Sequence, residues 1–167
     1  MSFSLLPNVI ADGITDLTVG FLKEHGIKLL MLDFDNTIVP YTTDVPTEQV
    51  LDWLQGMKQA GVLLCVVSNS RKGRVKEFCD HYGTDCITHA KKPFSRGICA
   101  CMARYGVKPM ECALVGDQIF TDVLGANGCG VRSILVKAID NHNFWLKARH
   151  VLELPFIYAA RKRRIAT

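Results

Sequence analysis

Short apolar runs that alternate with amphipathic stretches constrain this chain more than any other feature. The first run, Lys28 to Phe34 (KLLMLDF), follows a helical stretch ending near Gly26, a residue type suited to the position just past a helix. The second, Val62 to Val67 (VLLCVV), follows a predicted helix of about Thr47 to Ala60 that stops at Gly61. A third, Cys86 to Thr88, follows a basic helix that Ser70 is placed to cap and Gly83 to end. Ile98, Cys101, Met102 and Tyr105 recur at i, i+3, i+4 and i+7, which predicts a helix over 95–105 closed by Gly106 and Pro109. Cys112 to Val115 and Ser133 to Val136 are the fourth and fifth runs. Runs this continuously apolar suit strands covered on both faces. The pattern therefore predicts β-α-β units in a three-layer α/β/α arrangement around a central parallel sheet.

Nothing in the sequence breaks this pattern into pieces. The 167 residues suffice for one well-buried domain, and 49% apolar with 22% charged content suits a folded chain. With no repeat, low-complexity segment or linker, we expect a single domain over 1–167, its core at about 28–137 and a C-terminal extension over 138–167. The seven cysteines are odd in number and show no C-x-x-C spacing. They read as reduced core residues of a cytoplasmic protein. MSFSLLPNVIADG lacks the pattern of a leader, and no segment approaches ~18 uninterrupted apolar residues. A net charge of +4 favours anionic substrates but is too mild to imply a nucleic-acid partner, and none is expected.

Four features fall at or just beyond the carboxyl ends of the predicted strands, where open parallel sheets bind ligands. In Asp33-Phe34-Asp35-Asn36-Thr37, two carboxylates project to one side while the chain stays extended. Such a pair can divide nucleophilic attack from proton handling, although Asp and Asn also favour plain turns. Ser68 closes VLLCVVSNS and can donate a hydroxyl to a phosphoryl oxygen, or merely cap a helix. Lys91-Lys92-Pro93 offers a compact positive charge. Lys92 is the better candidate, because Pro93 holds it extended, with Lys91 the alternative. Gly116-Asp117-Gln118 supplies a carboxylate facing the first pair, and Asp122 reads as a supporting or helix-start residue. Asp33 and Asp117, with the Asp35 carbonyl oxygen, meet the demands of Mg²⁺, which takes one or two protein carboxylates beside substrate phosphate.

LLMLDFDNT, VVSNS, KKP and LVGDQIFTD resemble the four motifs of haloacid dehalogenase superfamily phosphatases, over about residues 28–137. LDFDNTIVPY and VGDQIFTDVLGANGCGVRSILV are similar, more narrowly, to the YqeG-like subfamily (subclass IIIA), whose relatives include mitochondrial phosphatidylglycerophosphate phosphatases. The resemblance implies a Rossmann-like fold and a Mg²⁺-dependent phosphate monoester hydrolase. It further implies that Asp33 is the nucleophile forming an aspartyl-phosphate and Asp35 the general acid and base, which requires a raised pKa for Asp35. Ser68, Asn69 and Lys92 match the phosphate-binding region and Asp117 the acidic metal ligand. Thr37, like Asn69, matches a position that steadies a loop.

The spans from Asp33 to Ser68, Ser68 to Lys92 and Lys92 to Asp117 each hold little more than a loop and one helix. No cap domain fits, so the site is expected to be open and to suit a bulky substrate such as a phospholipid head group. FWLKARHVLELPFIYAARKRR interleaves apolar residues with Lys147, Arg149, Arg161, Lys162, Arg163 and Arg164. That composition fits peripheral contact with an anionic membrane, and equally a frayed, solvated tail. Together these readings favour phosphatidylglycerophosphate over another bulky or soluble phosphoester. Two other classes compete: a non-catalytic module binding ribosomes or RNA through its basic end, and a phosphoacceptor receiver domain. The clustered acids weigh against the first, since like charges repel without a task to perform. The D-x-D-x-T run followed much later by GDQ fits the second poorly.

Overall fold

A computed structural model describes residues 4–70, 73–140 and 144–165, with backbone alone for 144–150. Among the described residues six strands form one all-parallel sheet. They are β1 (Val9–Ala11), β2 (Leu29–Leu32), β3 (Leu63–Val67), β4 (Asp85–Ile87), β5 (Cys112–Gly116) and β6 (Arg132–Val136), in the order β1-β6-β5-β2-β3-β4. The helices are α1 (Val19–Glu24), α2 (Glu48–Gln59), α3 (Gly73–Tyr82), α4 (Ser95–Tyr105), α5 (Leu124–Gly128) and α6 (Phe144–Ala159). Five strands match the five apolar runs. β1 does not appear in the sequence reading: it is as short as β4, but no amphipathic stretch leads into it as α3 leads into β4. It is held in parallel to β6, with Val9 opposite Ile134 and Ala11 opposite Val136.

Alternation within each strand explains the continuous apolar runs. Leu30 and Leu32 join one core with Leu22, Leu54, Met57, Val75 and Phe78 from α1, α2 and α3. Leu29 and Met31 join another with Ile98, Cys101, Met102 and Ala126 from α4 and α5. Successive side chains point to opposite faces, so a strand buried on both has no polar position. Each fully buried Leu or Ile contributes about 1.5–3 kcal/mol relative to exposure. Thr47 caps α2 by accepting from the Val50 N–H at 3.3 Å.

The C-terminal extension is docked rather than frayed. Phe156, Ile157 and buried Ala160 pack with Ile10 and Leu135 against the sheet, on the α5 side. Past α6, the Ile165 N–H donates to the Ile10 carbonyl at 2.8 Å, and Arg163 donates to the Pro7 carbonyl at 2.8 Å. Of the basic residues noted in this stretch, the Lys147 and Arg149 side chains lie outside the described residues. No described helix is long and apolar enough to cross a membrane. All seven cysteines are free thiols. Cys65, Cys79, Cys101 and Cys112 are buried and Cys86 and Cys129 half-buried, whereas Cys99 is exposed and does not belong to the core as expected.

The strand order places the ligand-binding edge. From β2 the chain moves outward to β3 and β4, then returns to the other side of β2 for β5 and β6. The connections diverge at the carboxyl end of β2, which opens a crevice there. No cap domain interrupts the connections among the described residues.

Two glycines test the packing with opposite signs. A Cβ on Gly97 of α4 would sit 2.6 Å from the Ala90 backbone, while one on Gly56, exposed within α2, would meet nothing within 4 Å. Denaturant melts should show Gly97→Ala destabilised by about 1–3 kcal/mol. Gly56→Ala should be stabilised by about 0.5–1 kcal/mol.

Candidate active site

Asp33, Ser68 and Asp117 each stand just past the end of a strand. The Asp33 N–H still donates to Val115 of β5 at 2.8 Å, after which the chain leaves the sheet. Asn36 adopts φ 63°, a conformation Asn tolerates better than most residues, and its N–H donates to the Val39 carbonyl at 2.7 Å. The Asn36 side chain donates to the Asp140 carbonyl at 2.6 Å, tying this turn to the segment after β6. Phe34 is fully buried against Phe78, and Thr37 is buried in the same turn.

Asp33 and Asp35 take different partners, because the alternation of an extended strand no longer applies once the chain bends. Asp33 faces Lys92, while Asp35 pairs with Arg74. Arg74 also reaches Asp44, and its guanidinium lies over the Phe34 ring at 5.1 Å. Burial holds the pKa of Arg74 below its ordinary value. Arg74 does not appear in the sequence reading. It stands in RKGRVKEF, where four basic residues share one stretch and no spacing singles one out.

The Ser68 N–H donates to Ile87 of β4, and its buried hydroxyl accepts from the Ser70 N–H, both at 3.0 Å. Asn69 uses both ends of its amide on one residue. Its Oδ1 accepts from the Lys92 N–H at 2.7 Å, and its Nδ2 donates to the Lys92 carbonyl at 2.9 Å. The loops after β3 and β4 are thereby joined. Lys91 is exposed at φ 55°, whereas Lys92, before a cis peptide bond to Pro93, turns inward.

Lys92 Nζ lies 2.6 Å from Asp33 Oδ1 and 2.7 Å from Asp122 Oδ1, with 1% of its side chain exposed. Burial opposes this charge, but the facing carboxylates of Asp122 and Asp33 more than reverse the effect and hold the ammonium's pKa above its ordinary value. Burial pushes the Asp122 carboxyl up to about 6; Lys92 opposes that rise and Asp33 adds to it.

Gly116 makes room for Asp122. A Cβ there would stand 2.2 Å from Asp122 Oδ2, the oxygen that accepts from the Gln118 N–H at 3.1 Å. Asp122 belongs to a π-helical turn, Ile119–Val123, leading into α5. The Ile119 N–H donates to Glu153 Oε1 of α6 at 2.9 Å. Glu153 is the other residue missing from the sequence reading, although it is the lone acid in a stretch otherwise apolar or basic.

Asp33, Asp117 and Asp122, all buried, offer carboxylate oxygens within 4.8 Å of one another. Three carboxylates gathered this closely repel one another, a repulsion that a divalent cation would relieve. A cleft of about 340 Å³ opens beside Asp117, walled by apolar Ile10, Leu135, Leu154 and Ile157 with Glu153 and Lys137.

A family model described as haloacid dehalogenase-like hydrolase matches residues 38–130. "Probable phosphatase YqeG" of Bacillus subtilis (strain 168) is 34% identical over 131 residues, 78% of this chain and 76% of that protein. Among solved structures, a subfamily III A hydrolase of this superfamily from Legionella pneumophila is similar in fold, with a TM-score of 0.57 at 14% identity over 85% of this chain and 88% of that one. The cobalt-bound deoxy-D-mannose-octulosonate 8-phosphate phosphatase of Haemophilus influenzae gives a TM-score of 0.54 at 16% identity, covering 84% and 93% of the two chains. By its motif-bearing strand ends and by these matches, the chain belongs to the haloacid dehalogenase-like hydrolase family, among its phosphatases.

Proposed function

We propose that this chain is a Mg²⁺-dependent phosphatase that cleaves a phosphate monoester through an aspartyl-phosphate on Asp33. The observation that carries the reading is Lys92 Nζ seated between Asp33 and Asp122, with Asp117 in the same buried group. Asp33 attacks phosphorus through a carboxylate oxygen, and the bond to the leaving alkoxide breaks as the bond to Asp33 forms. Lys92 and the Ser68 hydroxyl receive the phosphoryl oxygens, and Asn69 braces Lys92 through its backbone. Asp35 gives its proton to the alkoxide, then takes one from the water that releases phosphate. Arg74 bridges Asp35 and Asp44, which holds the Asp35 carboxyl in place for that proton transfer.

Asp33 and Asp117, with the Asp35 carbonyl oxygen, would hold Mg²⁺, which supplies neutralisation of charge on the transferring phosphoryl group. Both oxygens of Asp122 are engaged, one by Lys92 and one by the Gln118 N–H, so Asp122 supports the site from behind.

The substrate is phosphatidylglycerophosphate, presented at the inner face of an anionic membrane. An uncapped strand edge admits a head group, and the apolar cleft beside Asp117 accommodates the hydrocarbon that adjoins it. Phosphate release should be followed on phosphatidylglycerophosphate beside soluble esters, with Mg²⁺ and then with EDTA. Release limited to the soluble esters removes the lipid assignment, and release undiminished by EDTA removes the metal.

Asp33→Asn should lower turnover at least ~1,000-fold and leave no acid-stable phosphoenzyme in a quench assay. Asp35→Asn should retain metal binding by calorimetry while turnover falls about 10²–10⁴-fold. Gly116→Ala should displace Asp122 and raise the Mg²⁺ concentration for half-maximal rate by about 10–100-fold, read from a metal titration.

A further inference from the structure

Over 151–160 the described side chains of α6 are apolar on both faces, apart from one buried acid. Toward the protein it turns Glu153, 1% exposed, together with Phe156, Ile157 and buried Ala160. Toward solvent it turns Val151, Leu152, Leu154 and Tyr158, which are 60%, 65%, 45% and 66% exposed, along with exposed Pro155 and Ala159. Positions 151, 155 and 158 fall on one side of a helix, and 153, 157 and 160 on the other. The outward strip carries no charge over 151–159. A surface helix normally shows the opposite pattern.

Positive charge follows directly. Arg161 and Lys162 are exposed at the end of the helix, and the Arg161 guanidinium lies 4.2 Å from the centre of the Tyr158 ring. Arg163 and Arg164 turn back to the body, to the Pro7 carbonyl and to Asp12. Over 151–164 the sole acid is Glu153, and it is buried. An apolar strip with an aromatic residue at its margin and bases beside it matches the profile of an anionic lipid surface, apolar below and negative at the head groups.

We propose that the outward face of α6 seats the protein on an anionic membrane, with Val151, Leu152 and Tyr158 entering the head-group boundary and Arg161 and Lys162 meeting lipid phosphates. Its opposite face walls the cleft that ends at Asp117, through Glu153 and Ile157, with Leu154 at the margin between the two faces. Seating on this helix therefore holds the cleft about one helix diameter, roughly 10 Å, from the lipid plane. The inference deepens the lipid phosphatase reading by naming the docking element, and rests on that reading only for what enters the cleft.

The test is co-sedimentation of the full chain with vesicles of phosphatidylcholine alone or with added phosphatidylglycerol, alongside a rate on a soluble ester. The wild type should pellet with the anionic vesicles at least about tenfold more than with neutral ones, less so in high salt. Leu152→Ser with Tyr158→Ser, and separately Lys162→Glu, should each cut binding at least about fivefold. Both variants should keep the wild-type melting curve and soluble-ester rate. Equal binding to both kinds of vesicle, or none, overturns the proposal. So does light scattering that shows a dimer dissociated by Leu152→Ser with Tyr158→Ser, since the strip would then be covered by a second copy. If no ester is hydrolysed while anionic vesicles still bind, the enzymatic reading fails and the seating stands.

Discussion

One buried ammonium group organises this molecule. Lys92 Nζ lies between Asp33, carried by the central strand β2, and Asp122, carried by the turn after β5. Neither acid is tolerable alone at that depth, nor is the lysine. An isolated ion in a dry interior costs several kcal/mol or more, and removing one partner of a buried pair strands the other. The loops after β2, β4 and β5 are therefore obliged to close on one another. Asp117 joins the same buried group, and its carboxylate stands close enough to the other two for one cation to meet all three.

The apolar runs made the sheet legible because strands buried on two faces leave no polar position to confuse the pattern. Asp33, Ser68 and Asp117 were legible as candidates because each stands directly after such a run, as Asp33 follows LLML and Asp117 follows CALVG. Spacing could not show what happens once the chain leaves the strand. Asp33 and Asp35 read as neighbours on one side, yet the turn at Asn36 sends them to Lys92 and Arg74. Lys92 was favoured over Lys91 on backbone grounds, and burial now separates them. Arg74 was hidden among equivalent basic residues. β1 was hidden because a three-residue strand is recognisable only through the helix that leads into it, as α3 leads into β4, and β1 has none among the described residues.

The C-terminal segment was misleading for a different reason. Its mixture of apolar and basic residues has little net pattern until one knows which side faces the sheet. Ile10, Leu135 and Ala160 fix that side, and the remaining apolar residues are then left in solvent. Sequence periodicity reports that a helix has two faces, but the partner surface decides which one is inside.

The bond from the Ile119 amide to Glu153 carries a consequence for how such proteins can diversify. A main-chain N–H sealed from water without an acceptor forfeits about 1–3 kcal/mol. The terminal helix thus completes the hydrogen bonding of the segment that bears Asp117, although the two are far apart along the chain. Any recombination that exchanges this helix for another must bring an oxygen to the same point. α6 is in that sense tied to the segment that bears Asp117, and cannot be traded as an independent module.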